Sequence, residues 1–230
     1  MSQFEQLYNK KYYLERDYLP IHLQNTIENI LTENNFHDIL EVGVGTGKLM
    51  SSLKDKGYNI KGIDSSPIAA EIAGATVGNA TSIPFGNELF DCVLGISIIE
   101  HLKEGDGLIF IKEIHRVLKK GGGVFLVTPN YSSPLRIIKR NNWYAYTDKT
   151  HLFYYTPKSL RNLLKANGFS EIKFTFRLKN LPDFWPIEWP MGSIFKNLPS
   201  FFKYIPYRIL IQSPLGLYRD TFWVFGKKTL

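Results

Sequence analysis

One cysteine in 230 residues is too few for a disulfide framework or for a cysteine-built zinc site. That residue, Cys92, sits inside an apolar run and reads as a small buried hydrophobe. The opening "MSQFEQLYNKKYYLERDY" is charged and aromatic and lacks the apolar core of a secretory signal, so none is expected. A long stretch without a charge, 121–135, carries glycine, serine and proline, which argues against a membrane span. Together these absences point to a cytoplasmic protein. Helix-turn-helix, zinc-finger and RNA-binding aromatic patterns are missing too, so no nucleic-acid partner is expected. There is no internal repeat and no low-complexity tract.

What is present is material for one core with an elaboration: 44 % hydrophobic and 14 % aromatic residues in a chain long for one domain and short for two. The net charge of +7 conceals a split, with −4 over residues 1–130 and +11 over 131–230. A basic second half of this kind suits an anionic substrate or an anionic membrane surface.

Along the first half, short apolar runs alternate with helix-like segments, the rhythm of a parallel sheet flanked by helices. Strands are expected at 38–43, 59–64, near 75–78, through the apolar run 90–99, and at 124–130. Helices are expected at 48–57, at 66–74 with Pro67 in the first turn, and within 104–119, where Gly121–Gly123 are expected to stop the helix. Residues 131–155 are aromatic and basic without clear periodicity. A helix at 156–169, capped by Thr156 with Pro157 in first position, is followed by alternating strands at 171–178 and 220–228. Between these strands lies a proline-broken, aromatic and basic stretch. The expected organisation is a single domain: an N-terminal helical cover (1–36), a cofactor-binding half (37–130) and a substrate half (131–230) with an insertion at 179–218.

The most informative stretch is "ILEVGVGTGKL" (39–49), with three glycines in five positions where a strand hands over to a helix. Such a turn presents main-chain N–H groups and a helix N-terminus to a ligand. Two familiar spacings fail. G-x-G-x-x-G needs a small residue where Lys48 stands, and the phosphate loop needs its second glycine at that same position. What remains is Glu41, Gly43, Gly45 and Gly47. About twenty residues on, Asp64 ends the second strand, within reach of a ribose diol in a doubly wound sheet. The next crevice neighbour, "GNATSIPF" (78–85), offers Asn79 for an adenine edge, with Ile83 and Phe85 as walls.

"LEVGVGTGKL", "GIDSSP", "GNATSIPF", "FDCVLGISIIEHL" and "EIHRVLKKGGGVFLVTPN" together resemble the class I S-adenosylmethionine-dependent methyltransferase family over residues 37–130. "HLFYYTPKSLRNLLKANGF" is similar to the continuation in small-molecule members, especially those resembling ubiquinone-type O-methyltransferases. The resemblance implies an α/β, doubly wound, Rossmann-like seven-stranded sheet of order 3-2-1-4-5-7-6 with its last strand antiparallel. The aromatic, basic insertion then falls between the last two strands. It also implies S-adenosylmethionine as cofactor and S-adenosylhomocysteine as product. Gly43, Gly45 and Gly47 would lie against the methionine part, while Glu41 would steady the loop or reach the ammonium. Asp64, with Ser65 beside it, would take the ribose hydroxyls. Asn79 and Ala80 would meet the adenine, Asn79 accepting from the amino group through its carbonyl. Ser97, Ile98 and "EHL" (100–102) would border the transferred methyl group.

Such an enzyme aligns a nucleophile behind a methyl group that is already reactive, and Tyr8, Tyr12, Tyr13, Phe85 and Tyr131 are candidate walls. A hydroxyl acceptor needs a base or a metal, and His101 and His151 are the catalytic candidates because histidine changes charge near neutrality. The structural alternatives are a helix-start hydrogen bond for His101 and a loop tie for His151. No compact metal-ligand cluster is visible, so no metal is expected. The insertion, through 182–214, is read as a lid over the pocket of a small or lipid-linked acceptor, or as a peripheral contact with the inner membrane surface. The expected reaction is methyl transfer to oxygen, with nitrogen second. A non-catalytic cofactor-binding module and an aminopropyl transferase are the alternatives.

Overall fold

The computed structural model describes residues 19–174 and 220–229. The insertion expected at 179–218, with its lid or membrane face at 182–214, lies outside the described residues, as do Tyr8, Tyr12 and Tyr13. Helix α1 (Ile21–Glu33) places Leu23, Thr26, Ile27, Ile30 and Leu31 on one buried face at three- and four-residue spacing. There follow β1 (Asp38–Val42), α2 (Lys48–Asp55), β2 (Asn59–Asp64), α3 (Pro67–Ala73), β3 (Thr76–Val77), β4 (Phe90–Ile96), a 3-10 turn at Ile99–His101, α4 (Glu104–Val117) and β5 (Leu118–Pro129). Short helices α5 (Pro134–Lys139) and α6 (Tyr144–Thr147) lead to α7 (Pro157–Ala166), β6 (Phe169–Lys173) and β7 (Thr221–Lys228).

The strands form one sheet in the order 3-2-1-4-5-7-6. β1 through β5 pair in parallel, and β7 runs antiparallel between β5 and β6. This is the doubly wound sheet implied by the resemblance. Alternation along the strands supplies both faces. Leu40, Val42, Val93, Val124, Leu126 and Val224 pack with Phe110, Ile111 and Ile114 of α4 and Leu160 and Leu164 of α7. On the other face, Ile39, Cys92, Leu94, Phe125, Val127 and Trp223 pack with α1 and with Leu49 and Leu53 of α2. Among the described residues no helix is long and apolar enough to cross a membrane.

Local chemistry fixes the helix starts. The N–H of Ala69 donates to Ser66 Oγ (3.3 Å) ahead of Pro67, and Thr156 and Ser159 form a reciprocal capping box ahead of Pro157. The glycines at 121–123 behave differently from expectation. α4 ends at Val117, and Leu118 already pairs with Phe90, so the glycines lie inside β5, where the β4–β5 register shifts between Phe90 and Cys92. A side chain at Gly122 would lie 2.8 Å from the Asp91 carbonyl and 2.9 Å from that of Lys119, so the bulge admits only glycine. The third strand is also shorter than expected.

Residues 131–155 show no periodicity because tertiary contacts organise them. Asp220, at the entry to β7, is the anchor. Its Oδ1 accepts from Trp143 Nε1 and from Ser133 Oγ, both at 2.9 Å, and its carbonyl accepts from the Asn130 N–H at 2.7 Å. Lys139 lies 3.6 Å from Oδ2. The Trp143 ring is fully buried, so its N–H needs this acceptor. Asp220→Ala therefore strands a buried donor, and we expect a loss of about 1–3 kcal/mol in urea unfolding. An unchanged midpoint would show that packing alone holds Trp143.

Candidate active site

The turn between β1 and α2 and the turn after β4 lie side by side at the carboxyl ends of two neighbouring parallel strands, where doubly wound sheets open a crevice. The three glycines of the first turn all have positive φ, at 77°, 52° and 76° for Gly43, Gly45 and Gly47. Their surroundings differ. A Cβ on Gly47 would lie 2.7 Å from that of Ala73, so this glycine lets α2 approach α3. One on Gly43 would meet the Ile98 side chain at 3.1 Å, joining the two turns. One on Gly45 would meet nothing within 4 Å. Gly45 is therefore the position where the main chain is bare toward open space, as a cradle for a ligand requires.

Asp64 ties this turn to the end of β2: Oδ2 accepts from the Gly45 N–H at 3.0 Å and Oδ1 from the Ser66 N–H at 2.9 Å. Burial raises its pKa while these two N–H groups oppose the shift. Each oxygen keeps a lone pair for a ribose hydroxyl. Ser65 beside it is exposed. Glu41, on β1 beneath the turn, is 4 % exposed. Burial pushes its pKa up to about 8 against the pull of the Met50 N–H, with Asp64 adding repulsion. Its Oε2 has no partner among the described residues. A buried carboxyl oxygen left over beneath a bare main-chain turn fits the cationic amino group of the cofactor that the resemblance implies.

At the position expected to meet the adenine, the side chain of Asn79 is turned differently from expectation. Asn79 Oδ1 accepts from both the N–H and the hydroxyl of Thr81 at 2.9 Å, which leaves the amide donors of Asn79 for the base. Ala80 is buried beside it at 5 % exposure. Ile83 is packed into the core, and Phe85 turns away from the crevice. Its ring lies edge-on to Phe90, at the start of β4, and Arg116 holds its carbonyl at 2.8 Å. The Phe85 ring thus packs at the start of β4, toward the amino end of the sheet, and does not line the crevice.

The turn after β4 carries the second half of the site. Ser97 adopts φ 52°, an uncommon conformation for a residue with a side chain, and its N–H donates to the Val127 carbonyl. His101 and His151, fifty residues apart in sequence, come together with ring centroids 4.7 Å apart, edge to face. The link is main-chain: the N–H groups of Leu152 and Phe153 donate to the Glu100 carbonyl at 2.8 and 3.1 Å. The loop tie expected as the alternative for His151 is present, since His151 Nδ1 lies 2.7 Å from the Ala145 carbonyl, whereas His101 Nδ1 lies 3.1 Å from the carbonyl of Thr150 in the returning loop and not at a helix start. Tyr131 stacks on Tyr154, which lies edge-on to His151, so an aromatic wall does flank the pair.

Glu100 is the residue that spacing alone did not single out as catalytic. It is 1 % exposed and sits with the two histidines in a compact cluster, contrary to the expectation that none exists. Burial raises its pKa to about 8 against hydrogen bonds that include the Thr128 hydroxyl at 3.0 Å from Oε2. The available signal was an acid interrupting the apolar run "GISIIEHL". Thr128, Thr150 and Asp148 gave no such signal, because their roles depend on the return of the chain past β4.

The buried carboxyl of Glu41 has a measurable consequence. Its folded pKa lies above its unfolded value, so between about 4.5 and about 8 the folded state holds a proton that the unfolded chain has lost. The stabilisation is complete below that window and disappears as pH rises through it. Urea midpoints of the cofactor-free protein should fall from pH 5 to 8, and Glu41→Gln should flatten part of that fall. Parallel profiles for the two proteins would contradict the assignment.

The chain's relatives agree with this geometry. A family model described as a methyltransferase domain matches residues 13–173. The mitochondrial ubiquinone biosynthesis O-methyltransferase of Rattus norvegicus is 27 % identical over 191 residues, covering 66 % of this chain and 54 % of its own. The demethylmenaquinone methyltransferase of Chlorobaculum tepidum is 32 % identical over 156 residues, covering 63 % of this chain and 56 % of its own. This chain thus spans little more than half the length of either relative. Among solved structures, an S-adenosylmethionine-dependent methyltransferase of Thermotoga maritima, described as a possible histamine N-methyltransferase, superposes with a TM-score of 0.66 at 23 % identity over 98 % of both chains, a likeness of fold. A family match of that extent, on a sheet wound in this order, makes the chain a class I S-adenosylmethionine-dependent methyltransferase, with S-adenosylmethionine as its cofactor.

Proposed function

We propose that the protein methylates a hydroxyl oxygen of a small or lipid-linked acceptor. The observation that carries this reading is the paired imidazoles of His101 and His151 at the crevice edge after β4, beside the glycine turn. A neutral amine brings its own lone pair, whereas a hydroxyl must have its proton drawn away before it is a competent nucleophile. A pinned histidine pair suits the second case. The names of the two relatives described above favour an acceptor of the quinone-ring type, and the basic second half of the chain suits an anionic one.

When bound, S-adenosylmethionine supplies a methyl group that an incoming oxygen takes as the carbon–sulfur bond breaks with its electron pair remaining on sulfur. The protein's part is to position both partners. In this reading the Gly45 turn receives the methionine portion, and Glu41 Oε2 takes the ammonium, which would draw the Glu41 carboxyl to its ionised form. Asp64 accepts from the ribose hydroxyls, with Ser65 at the rim. The Asn79 amide donates to the adenine edge over Ala80. Ser97 and Ile98 border the methyl group, and the Tyr131–Tyr154 stack closes one side of the acceptor space. Holding the reacting atoms in line contributes roughly 7–11 kcal/mol where alignment is near ideal.

Two measurements test the reading. Titrating S-adenosylhomocysteine calorimetrically into wild type and Asp64→Ala should show at least tenfold weaker binding in the variant, about 1.4 kcal/mol. Equal affinities would remove Asp64 from the ribose contact. With methyl-labelled cofactor, catechol-type acceptors should yield a labelled methyl ether. Label appearing only on amines would refute the oxygen assignment.

A further inference from the structure

The hydrogen bonds around His101 and His151 fix more than their positions. Each ring points Nδ1 at a main-chain carbonyl, that of Thr150 for His101 and that of Ala145 for His151. A carbonyl only accepts, so both Nδ1 atoms carry the proton and both Nε2 atoms carry the lone pair. The Thr150 hydroxyl, 3.0 Å from His101 Nδ1, fits this tautomer because it donates to Asp148 Oδ1 at 2.5 Å and can accept from the ring. Glu100 belongs to the same cluster. Its Oε2 is satisfied by Thr128, and its Oε1 is buried with no partner among the described residues. One ligand atom from each of Glu100, His101 and His151 lies within 4.8 Å of the other two.

The cluster therefore gathers three potential ligand atoms, one of them on a buried carboxyl group that has an oxygen without a partner among the described residues. A metal cation that displaced the carboxyl proton would compensate that oxygen and the imidazole lone pairs together. Imidazoles held through Nδ1 by main-chain carbonyls are oriented as metal ligands commonly are. A second carboxyl group, that of Asp148, lies 4.0 Å from His151 Nε2 at the edge of the cluster.

We propose that Glu100, His101 and His151 bind a divalent first-row transition-metal ion, of which zinc is the reference case. Two nitrogens and one oxygen select this class over magnesium and calcium, which favour all-oxygen surroundings. Three protein ligands leave coordination positions open for an acceptor hydroxyl, whose proton the ion makes easier to release to solvent. That catalytic role rests on the oxygen-acceptor reading above; the binding site itself does not.

The test uses the full chain stripped of metal with a chelator and then titrated with zinc chloride by calorimetry. The same samples are titrated with S-adenosylhomocysteine. One equivalent of zinc should bind with micromolar or tighter affinity, weakened at least tenfold by Glu100→Gln and by His151→Ala, while binding of S-adenosylhomocysteine by the same variants reports that they remain folded. Cobalt(II) added to stripped wild type should give visible absorption bands that zinc abolishes, a readout that needs no variant. Zinc binding that is absent, or equally tight in both variants, overturns the site. If S-adenosylhomocysteine still binds in that case, the cofactor site stands and only the metal site has failed.

Discussion

Everything at this site depends on a glycine-rich main chain between β1 and α2, tied to the end of β2 by the N–H groups of Gly43, Val44 and Gly45. The Asp64 carboxylate receives the Gly45 N–H, so the acid proposed to take the ribose also fixes the turn proposed to receive the methionine. Two of the three glycines are consumed by packing, one against Ala73 and one against Ile98, and this leaves Gly45 as the open surface. Positive φ at all three makes the turn costly for any other residue. The cradle is thus a product of close helix and loop approach as much as of ligand contact.

A second constraint builds the acceptor side. The Glu100 carbonyl receives two N–H groups from the returning chain, and Asp220 pins the same segment through Trp143 and Ser133. Short helices that could not persist alone are held in place by these contacts. The result is a rigid shelf that delivers His151 to His101 across fifty residues of sequence. Loops carry function when a scaffold fixes them in this way.

The two halves share an electrostatic character. Glu41 and Glu100 are buried carboxyls with raised pKa values, and each has an oxygen without a partner among the described residues. Such groups weaken a fold and are kept where a ligand compensates them. One lies under the turn suited to a cationic cofactor, and the other lies among imidazole lone pairs.

The sequence by itself determined the sheet. Strands at 38–43, 90–99 and 220–228 announce themselves because a doubly covered strand is a nearly continuous apolar run, the strand at 59–64 is marked by its place between two helices, and helices at 66–74 and 156–169 carry caps and prolines at their starts. It also marked Glu41, the glycines and Asp64, since a turn that meets a ligand with bare backbone leaves a local pattern. Only the tertiary structure decided the rest. The glycines at 121–123 read as a helix stop but serve a bulge whose need arises from the neighbouring strand. Phe85 read as a wall but packs on Phe90, because the direction in which a loop folds back is not written in its spacing. Glu100, His101 and His151 gave no joint signal, because their meeting is made by main-chain hydrogen bonds between distant segments, and main-chain groups are the same in every residue.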